Sequence, residues 1–212
     1  MGRIRKKKGR TEWMIGLLLL AAALCLTGYN LRENSLAGSN SREALVQIRE
    51  ALTGTGTVRL PDASDRGQAG LPEDEPGGET EYPDYVLNPR MDMPARAIDG
   101  LNYMGVLDIP ALGLELPVLS DYVFDHLKAA PCRFSGSAYT DDLVICAHNY
   151  TSHFGRLGAL SSGDAVILTD MDGNVFSYAV REIIVLNPAE PEAFIQSGYD
   201  LTLFTCTLDG RN

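Results

Sequence analysis

Two short segments of this chain end apolar, strand-like runs on a reactive side chain. They are Leu143-Val-Ile-Cys-Ala-His148-Asn149 and Asp200-Leu-Thr-Leu-Phe-Thr-Cys206-Thr207. The first places an imidazole, and the second a thiol, at the mouth of a buried-looking stretch, beside small or hydroxylated neighbours that leave room for a substrate. A thiol attacks as its thiolate, and free cysteine is only a few per cent ionised near neutrality, so a neighbouring imidazolium or guanidinium is needed to favour it. His148 can supply that charge. An imidazole titrates near working pH, so it can give a proton to a leaving amine and later take one from an incoming nucleophile. The pair reads as a Cys/His acyl-transfer site. Water and an amine discharge a thioester alike, so the pair by itself does not separate a peptidase from a transpeptidase.

The other reactive residues have plainer readings. The four cysteines, Cys25, Cys132, Cys146 and Cys206, are too few and too irregularly placed for a disulfide framework or a CxxC metal site. Cys25 follows bulky Leu24 within an apolar run and reads as a membrane-embedded thiol. Cys132 lies in a Pro/Gly-flanked loop and is expected unpaired, with a regulatory disulfide as the alternative. Cys146 precedes His148 by two positions and shares its face of the strand, where core packing is the expected role. His126 reads as a structural histidine of a helical segment. His153 is ambiguous, and a His148/His153/Cys206 zinc site fits no ligand spacing well. No cofactor and no metal are expected.

These residues need a scaffold. The 212 residues allow one domain of ordinary size plus non-globular extensions, and a formal net charge of −10 argues against a nucleic-acid partner. Arg3, Arg5, Lys6, Lys7, Lys8 and Arg10 precede an apolar stretch from Trp13 to Leu26 that continues weakly through Tyr29. A basic flank on an apolar run predicts a transmembrane anchor over 13–29, with residues 1–12 a cytoplasmic tail and the rest exported. The run is short for a full span, so a signal peptide cleaved near Ala21-Ala-Ala23 is the alternative. Residues 30–85 then read as a juxtamembrane helix, with Leu36, Leu45, Val46, Ile48 and Leu52 at loosely helical spacing, followed by a disordered acidic stalk containing Pro72-Glu-Asp-Glu-Pro-Gly-Gly-Glu79. The catalytic domain is placed at 86–212.

Inside that domain the periodicity is that of strands. Tyr103 to Ile109 and Leu114 to Leu119, with Pro117 interrupting the second, read as a hairpin. Asp121 to Ala130 reads as a short helix and Pro131 to Tyr139 as a loop. Leu143–Ala147, Ala165–Thr169, Val175–Val180, Ile183–Leu186 and Leu201–Thr205 are further strands, and Ala189 to Gln196 a second short helix. Asp172-Gly173-Asn174 is a tight-turn signal. Many short strands at regular spacing imply a mainly β barrel or sandwich.

From Asn102 to the end the chain resembles the sortases, the membrane-anchored cysteine transpeptidases of Gram-positive bacteria. The resemblance is carried by Leu107-Asp-Ile-Pro110 with Leu116-Pro-Val118, by Cys-Ala-His148-Asn149, by His153-Phe154 with Leu157, by Gly163-Asp164, and above all by Thr202-Leu-Phe-Thr-Cys206-Thr207. The His153-Phe154 pair is closer to the class B-like branch. The resemblance implies an eight-stranded β-barrel with short helices behind an N-terminal transmembrane helix. It also implies Cys206 as the nucleophile that forms an acyl-thioester and His148 as the proton donor and acceptor. The implied partners are secreted proteins bearing C-terminal sorting signals and an amine acceptor on a cell-wall precursor or a pilin. A non-catalytic surface module of the same fold is the alternative function. The family further implies an arginine on the strand after the cysteine, steadying the substrate carbonyl oxygen as charge develops. Only six residues follow Cys206, and Arg211 is the one candidate among them. It sits in a Leu208-Asp-Gly-Arg turn, closer to the cysteine than in the family. The expectation is that the chain stops before its last strand and that the family's arginine lies beyond Asn212.

Overall fold

The computed structural model describes residues 8–53, 82–186 and 198–206. The chain divides into two units, Met1–Leu36 and Ala37–Asn212, and the division falls within one helix, α1 (Lys8–Thr53). In the first unit α1 carries a run of leucines and alanines without proline, a composition that favours helix. Its Trp13, Leu18 and Leu24 side chains are exposed. The Thr27 hydroxyl donates to the Ala23 carbonyl at 2.9 Å, so the polar group inside this apolar stretch is satisfied within the helix. By length and composition this helix suffices to cross a membrane.

The second unit is built on one sheet. Its strands among the described residues are β1 (Arg96–Ile98), β2 (Leu101–Ile109), β3 (Leu114–Leu119), β4 (Cys132–Ser135), β5 (Leu143–Cys146), β6 (Ala165–Asp170), β7 (Val175–Ala179) and β8 (Leu201–Phe204). A single helical turn, α2 (Asp84–Leu87), precedes them. The order is β7-β6-β2-β3-β4-β5-β8, with β1 paired to the start of β2, and the sheet curls into a nearly closed barrel. The expected mainly β barrel is therefore present. Pairing is antiparallel except at β3–β4 and β5–β8.

Alternation along each strand sorts the side chains. Leu107, Ile109, Leu116, Val118, Leu143, Ile145 and Leu168 fill the interior. Tyr103, Val106, Leu119, Cys132 and Cys146 face outward into a second cluster that holds Ala44, Leu45, Ile48 and Leu52 of α1. The buried positions Ala37, Ser41, Ala44, Leu45, Ile48 and Leu52 recur every three or four residues, which makes one face of a helix. Two polar contacts pin that face at its margins. The Arg49 guanidinium grips the Glu115 carboxylate, and Gln47 Nε2 donates to Asp99 Oδ2 at 2.9 Å. The helical stretch expected at 32–51 exists, and from Ala37 onward it belongs to the same unit as the barrel.

Several sequence expectations are corrected. Pro131 to Tyr139 is not all loop: Cys132–Ser135 forms β4, because its outward Cys132 sits against Cys146 across the ladder. Ile183 to Leu186 is not a strand. It is irregular, and Ile183, Ile184 and Val185 lie exposed. The short helix expected within 121–130 is present as a 3-10 helix, Phe124–Lys128. β1 went unread because three residues give too short a pattern. β3 runs straight through Pro117, since its second edge is paired only at Leu119↔Cys132 and proline there forfeits no ladder bond. The turn at Gly173 is as expected, with φ 87° joining β6 to β7. The helix expected at 189–196 lies outside the described residues.

Candidate catalytic site

β5 and β8 deliver the two reactive side chains. They run parallel in the register Leu143↔Leu201 through Cys146↔Phe204. Pairing continues past the strand ends, where Ala147 N–H donates to the Phe204 carbonyl at 3.2 Å and the Thr205 hydroxyl donates to the Ala147 carbonyl at 2.9 Å. His148 and Cys206 each follow that last pair by two residues. Both therefore follow the same end of two neighbouring strands. Alternation places them on the outer face, away from Ile145, Ala147 and Leu203, which serve the interior.

Burial separates the three described thiols of this unit. Cys132 and Cys146 are buried opposite one another in the β4–β5 register. Loss of hydration pushes their pKa values up, to about 11 and about 12. Each donates to a main-chain carbonyl, Cys132 to Ala130 and Cys146 to Cys132, both at 3.6 Å. Thiols so held stay protonated and inert. Cys206 is exposed. Cys132, expected in a loop, is thus a buried strand residue.

The His148 ring is half-buried in an aromatic setting. Phe124 meets it edge-on at a centroid distance of 5.9 Å, and Tyr150 lies tilted at 5.0 Å. Burial lowers its pKa from the ordinary value, and the Lys128 ammonium lowers it further. Near neutral pH the imidazole is therefore mostly uncharged and able to accept a proton from a neighbouring thiol. Nothing local to Phe124 or Tyr150 singles them out, because only the fold brings the turn after β3 against the end of β5.

The chain after His148 folds back tightly. Phe154 N–H donates to the His148 carbonyl at 3.3 Å, and the N–H groups of His153 and Gly155 both donate to the Tyr150 carbonyl at 2.9 Å. A side chain at 155 would put its Cβ 2.3 Å from the Asn149 carbonyl oxygen, so this closure requires glycine. His153 and Phe154 fill the turn from inside and are fully buried. His153 Nε2 lies 3.2 Å from Ser41 Oγ of α1. Burial, and secondarily the His148 charge, lower the His153 pKa to about 4. This histidine is a neutral packing residue, held by Ser41 and by the Ala37 main chain of α1. Among the described residues no group of three or more His, Cys, Asp or Glu side chains could hold a metal ion. Arg211 lies outside the described residues.

A family model described as the sortase domain matches residues 107–212, half of the chain. Sortase A of Bacillus anthracis is 28% identical over 137 residues, which cover 60% of this chain and 65% of that protein. The chain therefore matches somewhat under two thirds of this curated relative's length. Among solved structures, Streptococcus pneumoniae Sortase C aligns with a TM-score of 0.42 at 28% identity, over 50% of this chain and 60% of that one. A Clostridium perfringens Sortase D5 transpeptidase aligns with a TM-score of 0.45 at 22% identity, over 55% and 76% of the two chains.

Proposed function

The chain belongs to the sortase family, and on that premise we propose that it is a cysteine transpeptidase with Cys206 as nucleophile and His148 as proton carrier. The observation that carries the reading is the parallel β5–β8 register, which ends the strands leading to these two residues at the same edge of the sheet. Neutral His148 takes the Cys206 proton as sulfur attacks a peptide carbonyl, then returns it to the departing amine as the C–N bond breaks. The acyl group stays on sulfur as a thioester. An incoming amine attacks the thioester and loses its proton to His148, which passes it to the departing sulfur, so that a new amide is released and the thiol and neutral imidazole are restored. The apolar, exposed environment of Phe124 beside His148 suits an extended peptide with an apolar side chain near the scissile bond.

The donors in this reading are secreted proteins with C-terminal sorting signals, and the acceptor is an amine of a cell-wall precursor or a pilin. The apolar part of α1 is the anchor, crossing the membrane once. The basic residues before it favour a cytoplasmic amino terminus and an extracytoplasmic barrel. Intact-mass spectrometry of the full chain, incubated with a pool of sorting-signal peptides with and without an amine, tests the reading. An acyl adduct lost on Cys206→Ala and discharged by the amine is expected. An adduct that persists on Cys206→Ala refutes the assignment of the nucleophile, and the absence of any adduct favours a non-catalytic binding module.

A further inference from the structure

The helix face formed by residues 37–52 does more than cover apolar sheet. It reaches the loop that holds His148. Ser41, nearly fully buried, donates its hydroxyl proton to the Ala129 carbonyl at 2.9 Å. A hydroxyl has one proton, so its oxygen must act as acceptor towards His153 Nε2 at 3.2 Å. His153 therefore carries its proton on Nε2, and its Nδ1, buried without a partner, is a bare acceptor. From His153 the connection to His148 is short. Phe154, the next residue, donates to the His148 carbonyl, and His153 itself donates through its main chain to Tyr150. The rings form a continuous series, His148 to Tyr150 at 5.0 Å and Tyr150 to His153 at 5.6 Å.

We infer that Ser41 and His153 are positioning residues for His148, so that the docked part of α1 sets the orientation of the imidazole facing Cys206. The inference rests on the assignment of His148 and Cys206 as the reacting pair. A loop of exposed polar residues would not hold a ring to within the fraction of an ångström that proton transfer needs. Here the loop is closed on Gly155, filled by Phe154, and tied at His153 to a helix that is itself fixed by Ile48 and Leu52. Ser41 and Ala129 further join the helix to the turn that carries Phe124, which meets the His148 ring edge-on, and Lys128, whose charge acts on it.

The test uses the full chain in detergent micelles and two readouts. One is the rate of Cys206 alkylation by iodoacetamide, resolved from Cys25 by peptide mapping. The other is the imidazole nitrogen shifts of His148. Ser41→Ala removes the acceptor with a one-atom deletion and is expected to slow alkylation about ten-fold and to move the His148 shifts. His153→Phe keeps the ring volume without the N–H and should do the same. His153→Gln, which restores an N–H donor at similar reach, should return the rate to within about two-fold. Gln47→Ala loosens the same helix at Asp99, remote from the loop, and should leave both readouts unchanged.

Wild-type rates and shifts in Ser41→Ala and His153→Phe would overturn the inference. So would a Gln47→Ala effect as large as that of Ser41→Ala, which would mean general loosening. His148→Ala tests the underlying assignment separately. If it leaves Cys206 alkylation unchanged, the reacting pair is wrong, whereas the His148 shifts still report whether Ser41 and His153 orient that ring.

Discussion

Replacing His153 by phenylalanine should change how stability depends on pH, and by an amount the structure supplies. The histidine is fully buried and its pKa falls from 6.5 to about 4. The folded state thus binds the proton more weakly than the unfolded state, in which the value is ordinary. Stability from this residue is present above about pH 6.5 and is lost as pH falls through 4. At about 1.36 kcal/mol per decade of proton affinity, the full difference is roughly 3 kcal/mol, of which about 2 kcal/mol is lost already at pH 5. Denaturant unfolding of the full chain at pH 7.5 and pH 5 measures it. The wild type should lose about 2 kcal/mol more than His153→Phe between those values. The carboxylates and His148 are common to both proteins, so their contributions cancel to first order in the comparison. An equal loss in the two proteins would refute the argument, because it would mean that His153 titrates normally and is not held neutral beneath α1.

Ile48→Ala, at a fully buried site between α1 and the sheet, should cost roughly 3 kcal/mol by denaturant unfolding. A cost under about 1 kcal/mol would mean that the helix is not docked in solution. Arg49→Ala should cost less than about 1 kcal/mol, and less still in high salt, because the pair with Glu115 is half exposed on the arginine side. Gly155→Ala should disturb the His148 shifts and slow Cys206 alkylation more than it alters the far-ultraviolet circular dichroism, since its Cβ would strike the Asn149 carbonyl while the barrel strands stay intact. Asp170→Asn should lower the thermal midpoint. Asp170 Oδ1 and Oδ2 accept from Tyr139, the Asp172 and Asn174 main chain and the Asn174 amide, and an amide group would set donors against donors there.

The sequence by itself determined the local chemistry and most of the strands. Residue types suffice to mark Cys206 and His148, since each ends an apolar run that alternation makes a strand, and the turn at Asp172-Gly173-Asn174 is written in residues that tolerate positive φ. The apolar stretch from Trp13 is equally local, a matter of composition and length. What the tertiary structure decided is everything that depends on partners distant in sequence. The parallel β5–β8 register joins residues about 60 positions apart, and no periodicity within either strand fixes it. β4 is not legible locally because its burial comes from Cys146 on another strand, and the continuity of β3 through Pro117 is not legible because its unpaired edge is a property of the sheet. Residues 37–52 read as part of a juxtamembrane helix and no more, since Ser41 has no chemical reason to be buried until His153 is brought to it. Side chains set local geometry within a few residues, whereas pKa, reactivity and orientation are set by desolvation and contact, and these exist only once the chain has closed on itself.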